Sequence, residues 1–366
     1  MNILILTTHF NTGGITSYIL TLAKGLREKN HNVHVATSGG NMVEALSAFG
    51  CEHHTFNIKT KSELSPKLYF ALGSILKLIK EKNIDVIHTH TRTTQVMGTL
   101  LSRKSVRAHV STCHGFFKKR LSRRIFPCWG KAVIAISEAV RAHLIADFGV
   151  DEKKVFLIHN GIDLSAFSPV SEELRSQKRK EFNLKGGPVI GIIARLSDVK
   201  GHAILIGAMK QIVGKIPQAS LLIVGEGKLE KDLKRQIKAL GLENHILFYP
   251  IVNQTASMLS LLDVFVMPSL QEGLGLSVME AQAMGLAVVA SRVGGIPSLI
   301  EDGKTGLLVY PKDIDGLARA VVDLLTDKVK AKKIGQAARR FIESRFSADK
   351  MVQETIDCYS QVITKN

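Results

Sequence analysis

The chain has 366 residues, 45% hydrophobic and 22% charged, a globular balance at a length beyond what one hydrophobic core usually fills, so two domains are expected. Its formal net charge is +17, with 22 Lys and Arg against 11 Asp and Glu in residues 1–165, which favours phosphorylated small molecules, anionic lipid or polyanions without choosing among them. The apolar runs are only strand-sized, which excludes a membrane-spanning helix, and Cys51, Cys113, Cys128 and Cys358 stand far apart with no CxxC pair, which speaks against a disulfide framework or a cysteine-built zinc site.

From the first residues, β-rich runs alternate with helical ones. Residues 3–7 read as a strand, Gly13-Gly14 as a turn, and Ile15, Ile19, Leu22, Ala23 and Leu26 recur at helical spacing. Because that strand begins at once, with no basic leader or small-residue cleavage site, a cytoplasmic location is expected. Further strands are expected at 33–37, 84–89, 107–112 and 132–137. A polar, charged stretch at 168–185 then precedes a second series at 189–194, 220–224, 246–248, 264–268, 287–291 and 306–309. Such alternation builds a parallel sheet with helices on both faces. The expected fold class is therefore α/β, with two doubly wound domains at 1–167 and 168–347. From Asp313 onward the chain reads as helical. Its last segment, 348–366, carries Met351, Val352, Ile356, Tyr359 and Ile363 as an apolar face, expected to pack back on the first domain.

Four places carry chemistry. Gly13-Gly14 lies between a strand and a helix start, where free N–H groups and the helix dipole favour an anion, although a plain tight turn explains it as well. Arg195 and Lys200 lie just past an expected strand end, the place where open α/β sheets bind ligands. A guanidinium fork and an ammonium together suit a diphosphate, unless both are merely solvated. In the stretch 268–285, Glu272 precedes a glycine-rich turn, so that Gly273 to Leu276 can present N–H groups to a phosphate. Glu280 lies about a turn inside the following helix, placed to accept hydrogen bonds from a diol. A helix-dipole charge accounts for Glu280 tolerably and for Glu272 badly. Asp313-Ile-Asp315 has the form of a manganese-binding pair, but Asp313 stands where it can cap a helix at 317–325. No metal or cofactor is expected. His88 and His90, at a strand end, read as structural.

These residues, with His114-Gly115 after the fourth expected strand, Ser137-Glu138, Asn160-Gly-Ile-Asp163, Lys200-Gly201, Gly294-Gly295-Ile-Pro and Asp302-Gly-Lys-Thr-Gly306, make an ordered set along nearly the whole chain. In that set the chain resembles the family 4 retaining glycosyltransferases of GT-B fold, two Rossmann-like domains facing a central cleft. The resemblance implies that Arg195 and Lys200 hold the diphosphate of a nucleotide-sugar donor, helped by Gly275, Leu276 and the backbone N–H of Gly14. It implies that Glu280 takes the ribose hydroxyls, Glu272 the transferred sugar and its phosphate, and that His114 reaches the donor sugar. The leaving phosphate itself would deprotonate the acceptor, consistent with a sequence that offers no obvious acid and base pair.

The expected reaction is transfer of a hexose with retention, from a UDP-sugar first and GDP-mannose second, to a glycan or glycolipid of the cell envelope. Two rivals stand beside it. A sugar-nucleotide epimerase on the same fold would need acid and base groups of its own, and a polyanion-binding protein would follow from the charge alone. Nucleic acid is not an expected partner, because the basic excess carries no recognisable nucleic-acid motif. Residues 116–129 place Phe117, Leu121 and Ile125 at intervals of four among Lys118, Lys119, Arg120, Arg123 and Arg124. This is either a basic helix lying on the inner face of the membrane or a half-buried helix with a solvated basic side.

Overall fold

The computed structural model describes every residue except 61, 64, 183, 185, 253, 365 and 366, and the side chain of Leu121 also lies outside the described set. It divides into two compact units, Met1–Gly161 with Ala348–Asn366, and Ile162–Ser347. In the first, seven strands form one parallel sheet: β1 Asn2–Leu6, β2 Asn32–Thr37, β3 Glu52–Thr55, β4 Val86–Thr89, β5 Ala108–Cys113, β6 Ala132–Ala135 and β7 Val155–Leu157. Their order is β3-β2-β1-β4-β5-β6-β7. In the second, β8 Val189–Ile193, β9 Ser220–Val224, β10 Ile246–Tyr249, β11 Val264–Met267, β12 Ala287–Ser291 and β13 Leu307–Val309 take the order β10-β9-β8-β11-β12-β13. In both, the first strand sits centrally and the order reverses beside it, between β1 and β4 and between β8 and β11. That reversal opens a crevice at the strands' carboxyl ends, the usual ligand position in this architecture.

β1 has no polar alternation because helices cover both of its faces. Ile3, Leu4, Ile5 and Leu6 of β1 are all fully buried. Ile3 and Ile5 meet the helix Gly14–Glu28 and the final helix Ala348–Thr364 through Ile19, Leu22, Met351, Val352 and Tyr359. Leu4 and Leu6 meet the helix Pro66–Glu81 through Ile75 and Leu78. A side chain at Gly25 would stand 2.5 Å from Val352 Cγ2, so glycine there admits the last helix to the core.

β3 and β7 were not among the expected strands. β3 reads Glu-His-His-Thr and has no apolar content, while β7 is apolar, Val-Phe-Leu, but only three residues long, so pairing at the sheet edges marks them out. His114 therefore follows the fifth strand, not the fourth. The segment 116–129 also departs from expectation, since only Leu121–Ile125 is helical. Phe117 lies outside that helix, stacks on the buried Trp129 at 6.0 Å and receives the Arg123 guanidinium at 3.9 Å. Asp313 does cap a helix, Ile314–Thr326, accepting from the Gly316 N–H at 2.8 Å.

Candidate functional site

In the second unit, two loops meet at the reversal point. The loop after β8 carries Arg195 and Lys200, and the loop after the neighbouring β11 carries Glu272. A Cβ at Gly201 would stand 1.9 Å from Pro268 O, and φ there is +73°, so only glycine allows this approach. The Leu270 N–H donates to Val199 O at 2.8 Å and ties the loops together. Lys200 thereby reaches Glu272, its Nζ 2.6 Å from Oε2, with side chains only 22% and 11% exposed. Ser269 Oγ donates to the same oxygen at 3.2 Å. Lys200 has three N–H donors and spends one here. Arg195 is exposed and forms no ion pair among the described residues.

The helix Leu276–Ala283 starts at the end of the same turn. Its N-cap is Gly275, at φ +107°, with no side-chain cap. The first backbone turn bonds Val278 and Met279 N–H to Gly275 O, so the N–H groups of Leu276 and Ser277 remain for an anion, at the positive end of the dipole. Glu280 lies one turn further in, and among the described residues its carboxyl group meets one hydrogen-bond partner, Thr255 Oγ1, which donates at 2.9 Å. Burial pushes its carboxyl up to about 7, with the Thr255 bond opposing. A carboxylate with spare acceptor capacity beside an open helix start fits a hydroxyl-bearing phosphate ligand.

In the first unit, the reversal point holds the glycine turn and a histidine cluster. The helix Gly14–Glu28 has Gly13 as N-cap and no capping side chain, leaving its first N–H groups open. Loop contacts hold the turn: Thr12 N–H donates to Asn41 Oδ1 at 3.0 Å, and Asn41 N–H to Asn11 Oδ1 at 3.2 Å. His114 Nε2 lies 3.0 Å from His90 Nδ1, and Tyr18 packs edge-on against the His114 ring at 4.8 Å. Burial pushes His114 down to about 3, so it is neutral near pH 7 and offers Nδ1 as a polar contact. His88 is structural as expected: Nδ1 meets Tyr359 Oη at 2.6 Å and Nε2 meets Thr112 Oγ1 at 2.7 Å.

Arg195, Lys200, Gly275, Leu276, Glu272 and Glu280 thus gather at the β8 and β11 ends, and Gly14 and His114 lie at the matching point of the other unit. Sequence reasoning missed Ser269, Thr255 and Tyr18, and it took His90 as structural without its contact to His114. Ser269 could have been found, three residues before Glu272 on the same loop. Thr255 reaches Glu280 from 25 residues away, a separation that no local pattern marks.

The comparisons with known proteins agree with this geometry. Residues 175–341 match the family model described as Glycosyl transferases group 1, and residues 12–166 that of Glycosyltransferase Family 4. The chain is 30% identical, over 80% of its length and 79% of the relative's, to the UDP-Gal:alpha-D-GlcNAc-diphosphoundecaprenol alpha-1,3-galactosyltransferase of Escherichia coli. It is 31% identical, over 67% and 68%, to the GDP-mannose-dependent alpha-(1-6)-phosphatidylinositol monomannoside mannosyltransferase of Mycolicibacterium smegmatis. Among solved structures, Anabaena Alr3699/HepE in complex with UDP and glucose superposes with TM-score 0.88 at 25% identity, covering 99% of this chain and 100% of that one. A glycosyltransferase from Rickettsia africae shares the fold at 23% identity, with TM-score 0.87 and coverage of 100% and 99%. With both halves matched and the two doubly wound units in place, the chain belongs to glycosyltransferase family 4, of group 1 type and GT-B fold, and is a glycosyltransferase.

Proposed function

We propose that the enzyme transfers a hexose with retention from a nucleoside diphosphate sugar, UDP-sugar first and GDP-mannose second, to a glycan or glycolipid of the cell envelope. The observation that carries this reading is the Lys200–Glu272 pair beside the open start of the helix that bears Glu280. Lys200 and Arg195 neutralise the diphosphate, and the N–H groups of Leu276 and Ser277 add uncharged donors. Glu280 accepts from the ribose hydroxyls, and Glu272 faces the sugar, where positive charge develops as the bond to phosphate breaks. Within the first unit, the Gly14 N–H and the neutral His114 ring lie at that sheet's own reversal point. The E. coli relative's UDP-Gal and the UDP and glucose of the HepE complex support the first donor, and the mycobacterial relative's GDP-mannose the second.

Transfer needs no metal in this reading, because Lys200, Arg195 and backbone N–H groups supply the positive potential that a cation would. A lipid acceptor suits the exposed cations Lys118, Arg120 and Arg124 beside the exposed Ile125, which support peripheral contact with an anionic membrane. Calorimetric titration with UDP, GDP and their sugars tests the donor: binding of one nucleoside diphosphate is expected, weakened in Arg195→Ala and Lys200→Ala by roughly 1.5–3 kcal/mol each. Unchanged affinity in both variants would sink the assignment. Product analysis by NMR is expected to show the donor's anomeric configuration kept, with activity persisting in excess EDTA.

A further inference from the structure

The edge of the first sheet carries a second cluster of chemistry-bearing side chains. His34 on β2 pairs in register with Glu52 on β3, and His54 lies two residues further along β3, so strand alternation points all three to one face. His34 Nδ1 is 3.2 Å from His54 Nε2 and 3.6 Å from Glu52 Oε2, and His54 Nε2 is 3.8 Å from that same oxygen. Bonds of about 2.0–2.1 Å from one tetrahedral ion would place such atoms about 3.3 Å apart. The observed triangle is close to that size already.

We propose that His34, Glu52 and His54 form a divalent transition-metal site, with Zn²⁺ as the best-matched ion and water as a fourth ligand. Two imidazoles and one carboxylate are the donor set of borderline ions rather than of Mg²⁺ or Ca²⁺, which take oxygen ligands. His34 is buried while His54 is only partly so and Glu52 is exposed, so an ion has a path from solvent and a fixed inner ligand. Lys82 Nζ holds Glu52 Oε2 at 2.7 Å, orienting the carboxylate and competing with the ion for it. Without metal, the two rings share one hydrogen bond. With metal, both lone pairs and the carboxylate turn to one centre, clipping the polar edge strand β3 to β2. None of the three residues belongs to the donor site, so the ion serves the fold of this edge and not transfer.

The test uses the full chain stripped of metal, titrated with Zn²⁺ alone by calorimetry and with Co²⁺ for its visible absorption. Binding of a single ion is expected, with a tetrahedral Co²⁺ spectrum and a rise in Tm by mass action. Glu52→Gln combined with His54→Gln, one exposed and one only partly buried, should lose that binding while keeping the far-UV spectrum and nucleotide affinity of the parent. Lys82→Met should bind the ion more tightly. Absence of stoichiometric binding by the parent chain would overturn the proposal. So would equal binding by the double variant, which would place the ion on other histidines or cysteines, or weaker binding by Lys82→Met.

Discussion

Glu272 and Glu280 lie on one turn and helix, yet their surroundings give them separate work. Glu272 is paired with Lys200 at 2.6 Å, and in the proposed reading it faces the reacting sugar. Glu280 has one neutral hydrogen bond and a carboxyl raised from 4.5 to about 7. Unfolded, that group ionises near 4.5, so between these pH values the folded chain holds a proton that the unfolded chain has lost. Stability therefore falls as pH rises from about 4.5 to about 7, and the full penalty, up to about 3 kcal/mol, is present above that. Glu280→Gln is expected to raise Tm at pH 8 but not at pH 4, while raising the donor KM with kcat nearly kept. Glu272→Gln is expected to lower kcat more than it weakens binding. Calorimetry at the two pH values and steady-state kinetics check both, and a Glu272→Gln variant with normal kcat would remove that residue from the reacting centre. The paired glutamates, Arg195 and Lys200 were legible in the sequence because each follows a strand end at short range. Thr255 and the His90–His114 contact were not, because the first is a contact between two helices 25 residues apart and the second joins loops after two neighbouring strands.

Among the elements, the second unit's strands were legible to within about a residue, since fully buried parallel strands are continuous apolar runs. β3 was not, because an edge strand of polar residues resembles a loop until its neighbour is placed. Residues 116–129 misled for a different reason. Spacing alone made Phe117 part of a helix, whereas its ring is held by Trp129 and Arg123 in a stretch without regular structure. Packing between helices can be tested at Gly335 of the helix Lys328–Arg345. A Cβ there would stand 2.0 Å from Gly285 O, at the turn that ends the Glu280 helix. Ala gains up to about 1 kcal/mol of helix propensity, but a clash with backbone costs about 1–3 kcal/mol. Gly335→Ala is thus expected to lower Tm by several degrees and to weaken nucleotide binding, which scanning calorimetry with and without UDP measures. An unchanged or higher Tm would show that the helix yields instead.

At the scale of the molecule, the net charge of +17 has a local use only where cations are free. Lys119 is paired with Asp147 at 2.6 Å, and Arg123 is spent on Phe117. Lys118, Arg120 and Arg124 remain exposed. Each contributes about 1 kcal/mol near an anionic surface, so replacing the three with Ser is expected to abolish co-sedimentation with anionic vesicles and spare activity on a soluble acceptor analogue. Equal sedimentation of both proteins would discard the membrane contact. Among the described residues no helix is long and apolar enough to cross a bilayer.

The return of the helix Ala348–Thr364 to the first unit also has a consequence in time. His88, in the middle of the first sheet, finds its Tyr359 partner 271 residues later, and Val352 fills the gap beside Gly25 only then. On the ribosome the N-terminal sheet leaves the exit tunnel first but lacks part of one covering layer, while the segment Ile162–Ser347 can close its own core beforehand. The unit translated first is therefore the one completed last, and until then the apolar side chains that the last helix covers, Ile19, Leu22 and their neighbours, face solvent on that side.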